Sequence, residues 1–263
     1  MLGFVRSIAV EDKLSYKMRF KIRMQEEYGT IWEQKTVFSQ PSVFLEHHCY
    51  THLGQRQNLR RRQALLKTLQ EKGVSSVLFS QESTGVKLAE LKQADASYLN
   101  AHIAGEVGAF VAEKAGDTVY CAFASLGHLE EQAVLTLASH YRYFMIEAGR
   151  DTAFLCRVLR QKYGLPIIEA PSQRQVKQAH FALLWKKPEM HFGENCLVYT
   201  PLMQKVNMGG RQITDFQLDM PEAYFSEVPK GFALHPVVSE NLRRGTILAE
   251  KLKVKRILLD KLA

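Results

Sequence analysis

Three short polar stretches, ASLGHLEEQ (124–132), EAGRDT (147–152) and EAPSQRQ (169–175), each follow an apolar run and precede a helical pattern. A helix start carries backbone N–H groups with no intrahelical partner, and beyond the end of a strand those groups face an anion. Ser125, Gly127 and His128 in the first stretch, with Gly149 and Arg150 in the second, have the residue types that suit a phosphate: small, hydrogen-bonding or cationic. Arg150 has two readings. It makes a charge-assisted contact with a phosphate, or it is a first-turn helix residue beside Asp151, whose own charge suits the helix N-terminus better.

Other clusters carry weaker chemistry. HHCYTH brings His47, His48, Cys49 and His52 together, a plausible zinc set by residue type. On an extended segment, however, His47 and Cys49 share one face while His48 lies on the other, so four ligands do not converge. RQNLRRRQ places Arg60, Arg61 and Arg62 on the exposed side of a helix, and KMRFKIRM (17–24) sets Lys17, Arg19, Lys21 and Arg23 on one face of an alternating strand. Together they offer a surface on which a nucleic-acid backbone would release counterions. No aromatic stacking residues accompany those cations, and a solvated face explains them equally. Hydrolytic signatures are absent: the sequence has no GxSxG, GxxxxGK[ST], HExxH or SxxK.

The elements that must hold these residues follow from periodicity. Alternation over 17–24, a turn at Gly29 and an apolar, β-branched run over 31–38 predict an N-terminal antiparallel hairpin. Residues 39–54 read as irregular. A helix over 55–73 puts Leu59, Leu66 and Leu69 on one face and stops at Gly73. From there strands and helices alternate: strand 74–80, helix 97–116, strand 117–125, helix 128–140, strand 141–148, helix 150–164, strand 165–171, short helix 172–179, then strands at 180–185 and 196–200. Such alternation predicts crossovers between parallel strands. Beyond Pro201 the expectations are a strand over 211–221, a helix over 237–254 weakened by Gly245, and a last strand at KRILLD.

The run from 117 to 185 resembles, in outline, the NADP-binding half of Rossmann dehydrogenases: a loop after the first strand, a basic residue after the second, and a polar helix entering the apolar strand in QVKQAHFALLW. That resemblance implies NADP as a cofactor and Ser125, Gly127, His128, Gly149 and Arg150 as its site. The pattern departs from GxGxxG. ASLGHLEE offers one glycine, followed by two carboxylates that would repel a pyrophosphate. Length and element order also resemble the two-lobed dehydrogenases of the shikimate type, without their catalytic lysine and aspartate motifs.

Composition sets the remaining bounds. With 263 residues and 46% hydrophobic content the chain can fill one large core or two modest ones. No apolar run is long enough to span a bilayer, and Glu11 and Asp12 interrupt any secretory segment. A cytoplasmic protein without a membrane partner is expected. Four widely spaced cysteines form no CxxC pair, so reduced thiols are expected. The net charge of +8 divides into +6 over 1–72, −3 over 73–242 and +5 over 243–263.

The fold expected is α/β: a Rossmann-like, mainly parallel sheet with helices on both faces over 117–263, the C-terminal helix packing back, and a smaller N-terminal lobe with a β-hairpin over 1–116. The function expected is binding of a nucleotide or phosphorylated small molecule at the carboxyl ends of the parallel strands, by an NAD(P)-dependent oxidoreductase or a sensor or pseudoenzyme derived from one. The alternative is a nucleic-acid-binding or protein-interaction module built on the hairpin and the 55–72 helix. An exposed hairpin edge would also permit a homodimer.

Overall fold

The structure, a computed structural model, describes residues 1–10, 16–17, 20, 32–50, 55–81, 90–147, 152–202 and 208–260. Its chain falls into two compact units, Met1–Ala96 with Pro221–Ile247, and Ser97–Met220 with Leu248–Ala263. The division therefore lies at 96/97 rather than 116/117, because the two helices between those points belong with the second sheet.

The first unit is built on a five-stranded sheet in the order β2-β3-β1-β4-β5. β1 (Leu2–Val10), β3 (Gln40–Tyr50), β4 (Ser76–Phe79) and β5 (Lys92–Gln93) run parallel, and β2 (Trp32–Val37) is antiparallel to β3 at the edge. A hairpin is present, but between β2 and β3. Its turn is Phe38–Ser39, both left-handed at φ 48° and 62°, as a two-residue hairpin connection requires. The strand expected over 17–24 is corrected for the residues described there, since Tyr16, Lys17 and Phe20 are helical.

The irregular reading of 39–54 is corrected as well, because most of it is β3. Pro41 is tolerated because it precedes the pairing with β1, which starts at Leu2 opposite Ser42. α1 (Gln55–Glu71) covers one face of this sheet with Leu65 and Leu69, which are fully buried against Val5, Val43, Val74 and Val77. Leu69 is buried as expected and Leu66 partly so, but Leu59 is 53% exposed and Leu65 takes the buried place one turn before Leu69.

The second unit is a seven-stranded sheet in the order β12-β11-β10-β9-β6-β7-β8. β6 (Thr118–Ala122), β7 (Tyr143–Ile146) and β8 (Ile167–Glu169) run out to one side, and β9 (Phe181–Leu184), β10 (Leu197–Tyr199) and β11 (Arg211–Asp219) to the other, all parallel. β12 (Lys253–Leu259) closes the edge antiparallel to β11. The first six strands have the doubly wound dinucleotide-fold order, reversing between β6 and β9. Both central strands are buried along nearly their whole length, as parallel strands covered on two faces must be. The Rossmann-like α/β expectation holds.

Helices α2 (Ser97–His102), α3 (Ala104–Ala115), α4 (His128–Ala138), α5 (Thr152–Tyr163) and α6 (Gln173–Val176) belong to this unit. α3 approaches α4 closely at Gly108. A Cβ there would fall within contact distance of Leu137 and 2.6 Å from the Phe181 ring, both 0% exposed. Gly108→Ala, which would strengthen an exposed helix by about 1 kcal/mol, is expected here to destabilise by about 1–3 kcal/mol through overpacking. The shift of the urea midpoint reads the sign directly.

The helix expected over 237–254 is shorter. α7 (Glu222–Glu227) is followed by α8 (Leu234–Arg243), which ends before Gly245 at φ 73°, the left-handed position that stops helices. α8 belongs to the first unit. Cys121, Cys156 and Cys196 are free and buried, and burial pushes each thiol up, Cys196 to about 12. No helix among the described residues is long and apolar enough to cross a membrane.

Candidate functional site

Ligands of doubly wound sheets lie beyond the carboxyl ends of the strands at the point where the order reverses. Here that point is formed by the ends of β6, β7 and β9. Ser125, Gly127 and His128 stand together in the loop after β6 and are exposed, as expected of a binding loop. Gly149 and Arg150 lie outside the described residues, so the two readings of Arg150 stay open.

The β6 loop turns sharply before α4. Leu126 adopts φ 51°, a left-handed turn that swings neighbouring N–H groups toward one point. The N–H groups of Ala124 and Gly127 do converge, and they converge on the chain's own Glu130: Ala124 donates to Oε1 at 3.0 Å and Gly127 to Oε2 at 2.5 Å. Glu130 sits in the first turn of α4 and is only 4% exposed. A carboxylate of the chain itself thus accepts both bonds. The sequence reading had Glu130 as a repelling charge; the structure makes it the resident anion.

Glu147, immediately beyond β7, is the second group that sequence reasoning passed over. It lies 20 residues after Gly127, close to the offset at which an acidic residue holds a ribose hydroxyl in this fold. That carboxylate is also engaged. Oε1 pairs with Lys186 Nζ at 2.5 Å, and Oε2 accepts the Tyr120 hydroxyl at 2.6 Å. Burial first, and then the bond to Glu147, push the Tyr120 phenol up, so it stays a donor.

Two further groups have unused hydrogen-bonding capacity. Trp185, just past β9, is 6% exposed, and its Nε1–H has no acceptor among the described residues. Its backbone N–H bonds Ala122 at 2.8 Å, which fixes it beside the end of β6. His102, at the end of α2, has a buried Nδ1 without a partner among the described residues. Burial, and secondarily the His128 charge, lower its pKa, so the ring is neutral at pH 7.

The remaining sequence candidates do not assemble a site. Arg60 is exposed, but Arg61 and Arg62 are only partly so, correcting the picture of three cations stacked on an open face. Arg19, Lys21 and Arg23 lie outside the described residues. His47 is on β3, the side chains of His48 and Cys49 are not described, His52 is outside, and no metal-binding cluster occurs among the described residues.

No protein-family model matches the sequence, and no curated protein matches it. Solved structures do match. L-tryptophan dehydrogenase from Nostoc punctiforme is 10% identical over 79% of this chain, with a TM-score of 0.31, and the chain spans 65% of that enzyme's length. Quinate dehydrogenase from Corynebacterium glutamicum is 11% identical over 74% of this chain and 78% of its own, at a TM-score of 0.29. Aspartate transcarbamoylase from Trypanosoma cruzi is 11% identical over 95% and 83%, at 0.33.

Proposed function

We propose that the chain is a Rossmann-type small-molecule binder without dinucleotide-dependent hydride transfer, a sensor or pseudoenzyme that takes a nucleotide-like or phosphorylated ligand at the carboxyl ends of β6, β7 and β9. The observation that carries the reading is Glu130 held by the N–H groups of Ala124 and Gly127. It supports an anion seat, and it opposes a full dinucleotide. The pyrophosphate of NADP needs those N–H groups, and with Glu130 in place it would meet a buried like charge instead. The residues present therefore do not fit NADP. A ligand with a single phosphoryl group can approach the rest of the α4 N-terminus, where the first-turn N–H groups have no helical partner.

Trp185 supplies both the probe and the test. Its unpaired N–H stands beside the end of β6, ready for a ligand acceptor. Titration of the intrinsic fluorescence with ribose 5-phosphate, AMP, ADP and NADPH is expected to show a response to a monophosphorylated ligand, and no tighter binding of NADPH. Trp185→Phe removes a donor that has no acceptor among the described residues, so stability should fall only by the cost of the smaller buried ring, about 1–2 kcal/mol, while ligand affinity falls roughly tenfold. Tight NADPH binding together with NADPH oxidation would sink the reading.

A further inference from the structure

The first unit holds a half-open cavity of about 510 Å³ on the sheet face opposite α1, bordered by the end of α7 and the segment between α7 and α8. That volume is within the ~300–1,000 Å³ range of small-molecule sites. It owes nothing to the β6 loop, so it stands or falls independently of the function proposed above.

Two register pairs across β1 and β3 shape it. Phe4 lies opposite Phe44, and the rings stack with centroids 4.6 Å apart and planes 4° from parallel. Phe232 meets Phe4 edge-on at 5.1 Å, and the three rings form an apolar wall. Two residues further along the same face, Arg6 lies opposite Glu46. Neighbouring strands stand about 4.8 Å apart, yet no ion pair joins these two side chains. Arg6 instead donates one Nη2 bond to the Lys230 carbonyl at 2.9 Å, leaving most of its guanidinium fork unspent, and Glu46 is left half-buried beside it.

Of the other lining charges, Lys230 is exposed and holds Arg6 through its carbonyl, and the rest have contacts of their own. Glu33 pairs with Lys35 at 2.8 Å, the Lys35 ammonium sits 5.7 Å from the Phe44 ring centre, and Glu227 accepts the Phe38 N–H at 2.5 Å. On the sheet face the cavity thus presents the Arg6 guanidinium and the Glu46 carboxylate side by side, next to an aromatic wall. A ligand that uses all three needs an anionic and a cationic group a few ångströms apart and an apolar body.

We propose that this cavity binds a free α-amino acid with an aromatic or large apolar side chain. Its carboxylate docks on the Arg6 fork, its ammonium on Glu46, and its side chain on the Phe44 and Phe232 rings.

The test is calorimetric titration of the full chain with L-phenylalanine, 3-phenylpropionate, which lacks the ammonium, phenethylamine, which lacks the carboxylate, and glycine, which lacks the side chain. L-Phenylalanine is expected to bind, and each of the others to bind roughly tenfold or more weakly. Glu46→Gln should weaken L-phenylalanine and leave 3-phenylpropionate unchanged. Arg6→Gln should likewise weaken L-phenylalanine and leave phenethylamine unchanged. Thermal unfolding of each variant without ligand confirms that it is folded, and Phe232→Leu, which alters the wall without touching a charge, gives a second reading if Arg6→Gln is not. Absence of L-phenylalanine binding, equal binding of zwitterion and carboxylate, or indifference of L-phenylalanine affinity to Glu46→Gln would each overturn the proposal.

Discussion

Glu130→Ala is expected to destabilise the protein and, in the same step, to create a tighter site for ADP. Truncation strips the acceptor from the N–H groups of Ala124 and Gly127. A donor left without a partner costs about 1–3 kcal/mol when dry, but this loop is exposed and water replaces part of the loss. A net cost of about 1–2 kcal/mol, read as a fall of roughly 2–8 °C in Tm, is therefore expected.

A simple helix-capping role would also predict a cost of that size, since Gly127 and Glu130 stand in the N-cap and N3 positions of α4. The anion response separates the two roles. If the loop is a seat with a resident carboxylate, pyrophosphate or ADP should restore the lost Tm in Glu130→Ala but not in the native chain, while sodium chloride at equal ionic strength should not. ADP affinity should rise at least tenfold, because a unit charge about 4 Å from the incoming phosphate opposes it by up to about 4 kcal/mol at an effective dielectric of 20. Glu130→Gln, which removes the charge but still fills the seat, should gain less. Unchanged ADP affinity in both variants would reduce Glu130 to a cap.

Part of this site was legible in the sequence, and the part that was not has a physical cause. The strands from β6 to β10 announced themselves because a parallel strand covered on both faces is a short unbroken apolar run, and the polar loops at their carboxyl ends had to hold any ligand. That reasoning led to Ser125, Gly127 and His128, which are exposed between the end of β6 and the start of α4. It registered Glu130 only as a charge, although its spacing from Gly127 is that of a capping pair. Glu147 also had a signal, in its distance from the glycine loop, but Arg150 drew the attention.

The first unit was far less readable. β1 carries Arg6 and Ser7 in its middle, and β3 carries Pro41 and two histidines, so neither shows a clean period, while the alternating segment at 17–24 is helical at the residues described. The pairing of Arg6 with Glu46 depends on a parallel register between strands about 40 residues apart in sequence, which no local pattern encodes.

The largest stability effect is expected at Arg244. α8 is tied to β4 through Glu240, a carboxylate only 4% exposed. Its Oε1 accepts Arg244 Nε and Nη2, both at 2.9 Å, and the Ser76 hydroxyl at 2.8 Å, while Oε2 accepts Arg243 at 3.2 Å. Arg244 also reaches the Ser75 hydroxyl at 3.0 Å. Arg244→Ala leaves that buried carboxylate with one serine and the more exposed Arg243, and removing one member of a buried pair costs about 3–5 kcal/mol. Arg244→Lys keeps the charge but loses the two-pronged contact, so an intermediate loss is expected. Replacing both partners, Glu240→Leu with Arg244→Met, should recover most of the loss, since the dominant cost is the orphaned charge rather than the missing attraction. Hydrogen exchange at the β4 amides of Val77 and Leu78 reads this order locally, without assuming that both units unfold together. The same latch bears on the cavity. Phe232 and the Lys230 carbonyl that holds Arg6 lie directly before α8 in the chain. Loosening α8 in Arg244→Ala should therefore weaken L-phenylalanine binding in the first unit and leave ADP binding at the β6 loop unchanged, whereas Glu130→Ala should alter only the latter.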